Sequence, residues 1–363
     1  MSNFQNLIVQ RLEDRIDAGA MSAASVRIER DGEVLLNWAG GKYEFDSTSN
    51  DIDTESVFLI ASITKPMVTS AFVKLIERGL VDLDDFVTKF IPEFSVHGKD
   101  KVTIRHCLTH TSGLPDMVPG DPDLRTRNAP QSEFTTAACN AELLFEPGTE
   151  VRYQSAGILI LSEIAQRITG MQIRDYLKET IFTPAEMSSS HLGWRDDFEG
   201  RSVTSKVSSP ESSSHWNHNS PYWRDFGAPW GGAHTNTVDI ARLLQVFLDN
   251  GKSASGIQVF EPGTVRSLLA DYTMVEPKLS PESRLKEGWG LGWRLQREGG
   301  QDGWYGSGVP AGSFGHAGAT GTIAWADPAS RVVFVLLTNG LQVAEGSTLK
   351  ACGNIAAAAL CGK

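Results

Sequence analysis

A chain of 363 residues with 40% hydrophobic and 21% charged residues has an ordinary globular composition, which excludes disorder and fibrous repeats. A net charge of -11 without any basic tract excludes nucleic acid as a partner, because such binding draws its affinity from Lys and Arg on phosphates. The length suits one or two lobes sharing a core.

The opening residues MSNFQNLIVQRLEDRIDAGAM place Leu7, Ile8, Leu12 and Ile16 on one side of a helix. They lack the basic start and unbroken apolar run of a signal peptide, so a cytoplasmic location is expected. No apolar run reaches the roughly 18 residues of a membrane span, and no membrane partner is expected. Cys107, Cys139, Cys352 and Cys361 fit neither a CxxC pair nor a metal spacing and read as reduced thiols.

AASVRIER, Asp31-Gly32 and VLLNWAGG read as strand, tight turn and strand. After the apolar run VFLI, Ser62 opens a segment in which Met67, Val68, Ala71, Phe72, Leu75 and Ile76 recur at helical spacing. Pro66 falls in the first turn of that helix, where proline is tolerated. From Val102 to Leu248 short helices alternate with Gly, Pro, Ser and Asn punctuation.

Residues 193–232 form a long irregular stretch carrying Trp216, Tyr222, Trp223, Phe226 and Trp230. Such a loop is either a pocket wall or a surface segment anchored by its aromatics. Beyond Gly288, WGLGWRLQ, TIAWADP and RVVFVLLTN are β-like, and a helix from about Ser347 to Leu360 closes the chain. The pattern predicts an α+β fold with one sheet built from both termini. Residues 1–61 and 286–363 would form the sheet lobe and 62–285 a mainly helical lobe, with the active site between them.

Nucleophilic catalysis by serine needs a hydroxyl, a base and donors for the oxyanion. Ser-x-x-Lys puts the first two on one helical face, where a desolvated lysine can lose its proton near neutral pH. The spacing occurs at Ser62, Ser283 and Ser347. Ser283 lies in a charged run and Ser347 in the opening turn of the last helix. Only Ser62 follows an apolar strand-like run and begins a buried-looking helix, which selects Ser62 and Lys65.

IASITKP, HCLTHTSGLP, EPGTEVRYQSAGILILSEIAQRITG, GGAHTNTVDIARLLQVFLDNG and FGHAGATGTIAWADP resemble, in order, landmarks of the class C β-lactamase and family VIII carboxylesterase group of penicillin-binding-protein-like serine hydrolases. The resemblance implies an α/β/α sandwich of the β-lactamase/transpeptidase kind with an antiparallel sheet. It also implies that Tyr153 takes the Ser62 proton or relays it to the leaving group, with Lys65 holding the phenol pKa down. Tyr305-Gly306-Ser307 repeats the Tyr-x-Ser spacing but lacks a following helical segment. His316-Ala317-Gly318 corresponds to the family's third motif, with Gly318 admitting substrate close to a strand. The oxyanion hole carries over to the backbone N–H groups of Ser62 and Ala319.

Ser155 stands where lactamases of this group have Asn, and His316 where they have Lys. Both departures move the expected substrate from lactam to a short-chain ester, with Ser155, His316, Gly318, Trp230, Tyr222 and Trp223 as candidate substrate-binding residues. The alternatives are a β-lactamase, DD-peptidase or D-aminopeptidase, and an inactive scaffold of the same fold. His106, His110 and His191 read as structural. His215 and His218 lack a third ligand, so no metal is expected, and no cofactor. The expected partner is a small-molecule ester, with a homodimer as a candidate assembly.

Overall fold

The computed structural model describes residues 1–207, 216–298 and 304–362. Ten strands organise it. The hairpin β1 (Ala23–Arg30) and β2 (Glu33–Gly41) joins the late strands β6 (Gly288–Trp289), β7 (Arg294–Leu295), β8 (Phe314–Gly318), β9 (Thr322–Asp327) and β10 (Val332–Thr338) in a seven-stranded sheet of order β2-β1-β10-β9-β8-β7-β6. Every pairing is antiparallel, and β1 meets β10 from Ala24 opposite Thr338 to Arg30 opposite Val332. The two ends of the chain therefore make one sheet, as the β-like runs predict.

β10 shows why this sheet reads as an uninterrupted apolar run. All seven of its residues are buried, Val332, Phe334 and Leu336 in one core and Val333, Val335 and Leu337 in the other. Successive side chains point to opposite faces, so a strand covered on both sides must be apolar throughout. Helices α1 (Asn3–Asp17) and α6 (Gln342–Leu360) contribute Ile8, Leu12, Leu349 and Cys352 to the first core. Helix α5 (Thr237–Leu248) contributes Ile240, Leu243 and Leu244 to the second. This is the helix–sheet–helix layering of the expected sandwich.

Two local expectations need correction. Leu7 is 51% exposed while Val9 is buried, because at about 100° per residue the inward stripe of α1 centres on Ile8 and Leu12. The last helix begins at Gln342, so Ser347 lies beyond its opening turn. The helical segment contains a smaller sheet in which β5 (Ala233–Thr235) lies between β3 (Phe58–Leu59) and β4 (His191–Leu192). Its role is positional: β3 leads straight into the turn carrying Ser62.

Candidate active site

A 3-10 turn over Ala61–Ile63 links β3 to α2 (Thr64–Glu77). Ala61 has φ 46. That left-handed conformation costs an L-residue with a Cβ roughly 1 kcal/mol, and it presents Ser62 at the head of the helix. Three threonines hold the turn. Thr64 Oγ1 donates to the Ala61 carbonyl (2.6 Å) and accepts from the Ala233 N–H (3.0 Å), tying the turn to β5. Thr320 Oγ1 donates to the Leu59 carbonyl (2.7 Å) and Thr322 Oγ1 to the Ile60 carbonyl (2.9 Å), tying it to the β8–β9 turn.

Gly318 ends β8 against this turn. A Cβ there would lie 2.2 Å from the Ile60 carbonyl oxygen and 2.3 Å from Thr322 Oγ1. Glycine at this position thus admits the protein's own backbone, a packing reason for it independent of any substrate. Ala319, next in sequence, is exposed beside the Ser62 turn.

Lys65 is 1% exposed, and its Nζ donates to Ser62 Oγ (3.0 Å) and the Trp230 carbonyl (2.9 Å). The amine also lies 4.7 Å from the centre of the Tyr153 ring. Burial lowers its pKa to about 7, against the opposing pull of Asp116. Ser62 itself is half-buried and reachable. The other two Ser-x-x-Lys sequences have no such setting. Lys286 is exposed, Ser347 is exposed, and Ser283 only follows the cap made by Ser280.

Tyr153 stands beside the pair. Its hydroxyl is buried near Ser62, outside ordinary hydrogen-bond geometry and with no other partner. Burial pushes the phenol pKa well above its ordinary value, and the neighbouring Ser62 hydroxyl and Arg294 only partly oppose this. The resting group is therefore a neutral phenol, a proton donor. The groups that oppose the burial are Ser62 and Arg294 rather than Lys65, whose amine is itself close to neutral.

His316 lies on β8, fully buried, with its ring 5.8 Å from Tyr153. Its Nδ1 meets the Ala317 carbonyl at 2.7 Å, which assigns the proton there and leaves a lone pair on Nε2. Burial, Lys65 and Arg294 lower its pKa to about 3, so it is a neutral imidazole. It cannot replace the charge of a lysine toward an anionic substrate.

Ser155 precedes α4 (Ala156–Thr169) and donates its hydroxyl to Asp116 Oδ1 at 2.7 Å. Both residues line a narrow crevice with Met117, Val118, Asp121, Phe134, Ala156, Leu159 and Trp230. Of the three loop aromatics expected to bind substrate, Trp230 alone lines this crevice. Trp223 is buried in the core, stacked on Phe226 at 5.7 Å and covering Arg125 at 4.5 Å. Tyr222 donates to the Ala129 carbonyl at 2.9 Å. Trp223 anchors the loop in the core, and Tyr222, half-buried, ties it to Ala129.

Sequence reasoning missed Asp116, Arg294, Trp289 and the threonines of the Ser62 turn. Arg294 is 6% exposed, 4.1 Å from the Trp304 ring centre, and pairs with Glu287 at 3.2 Å. Nothing in its local sequence separates it from a surface arginine on a strand. His106 accepts from the Thr103 N–H at 3.1 Å as part of a helix cap, a structural role as read. Among the described residues no group of three His, Cys, Asp or Glu could hold a metal ion; of the His215 and His218 pair, His215 lies outside them. Nor is any described helix long and apolar enough to cross a membrane. All four cysteines are free.

Comparison with known proteins adds the following. The family model described as Beta-lactamase matches residues 5–351. A Salmonella agona protein named "Putative D-alanyl-D-alanine carboxypeptidase" is 28% identical over 371 residues, covering 90% of this chain and 81% of its own. A penicillin-binding protein homologue from Caulobacter crescentus superposes with a TM-score of 0.79 at 22% identity, covering 99% of this chain and 98% of the other. A family VIII carboxylesterase does so with a TM-score of 0.75 at 19% identity, covering 97% and 98%. At such identities the solved structures speak for the shared fold.

Proposed function

The chain belongs to the Beta-lactamase family of serine hydrolases, and from that premise we propose that it is a carboxylesterase of short-chain acyl esters working through a covalent acyl-enzyme at Ser62. Lys65, with its pKa near 7, takes the Ser62 proton as the hydroxyl attacks the ester carbonyl. The oxyanion is received by the backbone N–H groups of Ser62 and Ala319. Tyr153 donates its phenolic proton to the departing alkoxide, and the Lys65 ammonium returns a proton to the phenolate. Water then repeats the cycle in the alcohol's place and releases the acid.

The observation that carries the ester reading is the state of Ser155 and His316, the two positions that would hold a lactam's substituents. Ser155 has no amide to offer an acylamino substituent and its hydroxyl is engaged by Asp116, while His316 supplies no charge. The crevice of Met117, Val118, Phe134, Leu159 and Trp230, which also carries Asp116 and Asp121, is closed to a water-sized sphere and would have to open to take an acyl chain. Pre-steady-state hydrolysis of p-nitrophenyl butyrate tests the proposal. It requires a stoichiometric burst and a butyryl adduct at Ser62 by intact mass; neither forming would end it.

A second reading is supported by Arg294, a buried cation that acts on both Tyr153 and His316. A guanidinium there suits a leaving group bearing a carboxylate, in keeping with the name of the Salmonella relative. Faster turnover of a D-alanyl-D-alanine peptide than of butyrate esters would replace the first reading by this one.

A further inference from the structure

We infer that His110 is a positioning residue that fixes the Tyr153 phenol for proton transfer. It belongs to the segment HCLTHTSGLP rather than to any of the groups assigned above, and it rests on Tyr153 being the acid of the hydrolase reading. His110 is fully buried after α3 (Ile104–Leu108), and its φ is 59. That conformation turns the carbonyl and ring of one residue toward the same stretch of chain.

The contacts close on both sides of Tyr153. The Arg152 N–H donates to the His110 carbonyl at 2.9 Å, and the Gln154 N–H donates to His110 Nδ1 at 3.2 Å. A single histidine thereby holds the peptide units before and after the tyrosine. Its ring lies 5.0 Å from the Tyr153 ring, tilted by 33°, and 4.2 Å edge-on to Trp289, itself 6.0 Å from Tyr153. Phenol rotation is bounded by these two rings and by His316.

A second staple supports the first. Ser112 Oγ donates to Gln154 Oε1 at 2.8 Å, and Gln154 Nε2 donates to the Cys107 carbonyl at 3.3 Å. With Nδ1 accepting, the His110 proton is on Nε2, and the ring keeps this acceptor only while neutral. Burial together with Lys65, His316 and Arg294 keeps it so, far below its ordinary pKa.

This role differs from mere core filling in what it protects. Loss of His110 should impair protonation of the leaving group, so acylation by an alkyl ester should suffer while acylation by an aryl ester whose phenolate leaves as the anion should not. Ethyl butyrate and p-nitrophenyl butyrate share an acyl chain and separate the cases. Rates are normalised to active sites titrated with a fluorophosphonate, so unfolded protein does not count. His110→Ala and His110→Gly, the latter free of left-handed strain, should each lower kcat on ethyl butyrate by about 100-fold, the lower end of what a positioned proton donor contributes. KM and the burst rate constant of the aryl ester, which reads acylation alone, should change by less than about threefold.

His110→Asn tolerates positive φ and offers an oxygen acceptor near the Nδ1 position, so it should restore most of the alkyl-ester rate. Placed in a Tyr153→Phe background, His110→Ala should add less than about twofold, because the group it positions is gone. Equal slowing of acylation by both esters, a multiplicative double variant, or an Asn variant no better than Ala would each overturn the inference and leave the hydrolase reading standing. Wild-type enzyme that acylated Ser62 with neither ester would overturn both.

Discussion

Replacing Lys65 by methionine should abolish activity and make the protein more stable near neutral pH, by an amount that shrinks as pH rises. The folded chain releases the Lys65 proton at about 7, whereas an unfolded lysine releases it at its ordinary 10.5. Between these values the unfolded state binds more protons, so wild-type stability climbs with pH across that window. A difference of about 3.5 units at about 1.36 kcal/mol per unit amounts to about 5 kcal/mol of cost below pH 7. By the same linkage about 4 kcal/mol remains at pH 7 and about 1 kcal/mol at pH 10.

Methionine fills similar space without the amine, but it leaves the Trp230 carbonyl without the donor it now has at 2.9 Å. That loss costs about 1–3 kcal/mol at every pH, so the net gain at pH 7 should be about 1–3 kcal/mol. The pH-dependent part is free of this offset. Urea unfolding of both proteins at pH 7 and pH 10 should show the variant's advantage falling by about 3 kcal/mol, since the other titrating groups are common to both. Parallel stability curves would refute a neutralised Lys65 and with it the choice of base. The pH profile is an independent check: wild-type kcat/KM should rise about tenfold between pH 6 and pH 8 as the amine loses its proton.

Asp116→Asn removes the charge that raises the Lys65 pKa, so the acidic limb of that profile should move to lower pH, read from kcat/KM on p-nitrophenyl butyrate. Ser62→Ala should eliminate the burst and the acyl adduct while shifting stability by less than about 1 kcal/mol in urea. Gly318→Ala forces a methyl group onto the Ile60 carbonyl and Thr322, and should cost about 2–3 kcal/mol and slow aryl and alkyl esters alike. Ala61→Val places a β-branched residue at φ 46, and unfolding should show a loss of about 2 kcal/mol together with a lower kcat.

The sheet was legible because β10 is apolar at its first six positions and the β1–β2 hairpin carries its Asp31-Gly32 turn; both are local signals. β6 and β7 were blurred into one run because each is two residues long, too short to show alternation. Ser62 and Lys65 could be read because they are one helical turn apart. Tyr153 came only with the family resemblance, since 91 positions separate it from Ser62 and no periodicity spans a loop. Arg294 and Asp116 were invisible, and His110 was read only as structural, for a stronger reason. Their effect lies in burial and in which partner they face, and those are properties of the assembled chain.

His110 and Ala61 show how a site can nevertheless betray itself through physics alone. Among the described non-glycine residues with positive φ, Ala61 is the one without a polar side chain to favour that conformation locally, and it precedes the nucleophile. Around it gather a lysine with its amine out of water and buried atoms without a hydrogen bond on His110, Tyr153 and His316. Each departs from what a stable fold would choose, and a chain maintains such departures where the surrounding structure over-determines them. The threonine ties to Leu59, Ile60 and Ala61 are that over-determination for the turn. The His110 clasp on Arg152 and Gln154 is its counterpart for the phenol, so substituting either set should damage rate before it damages folding.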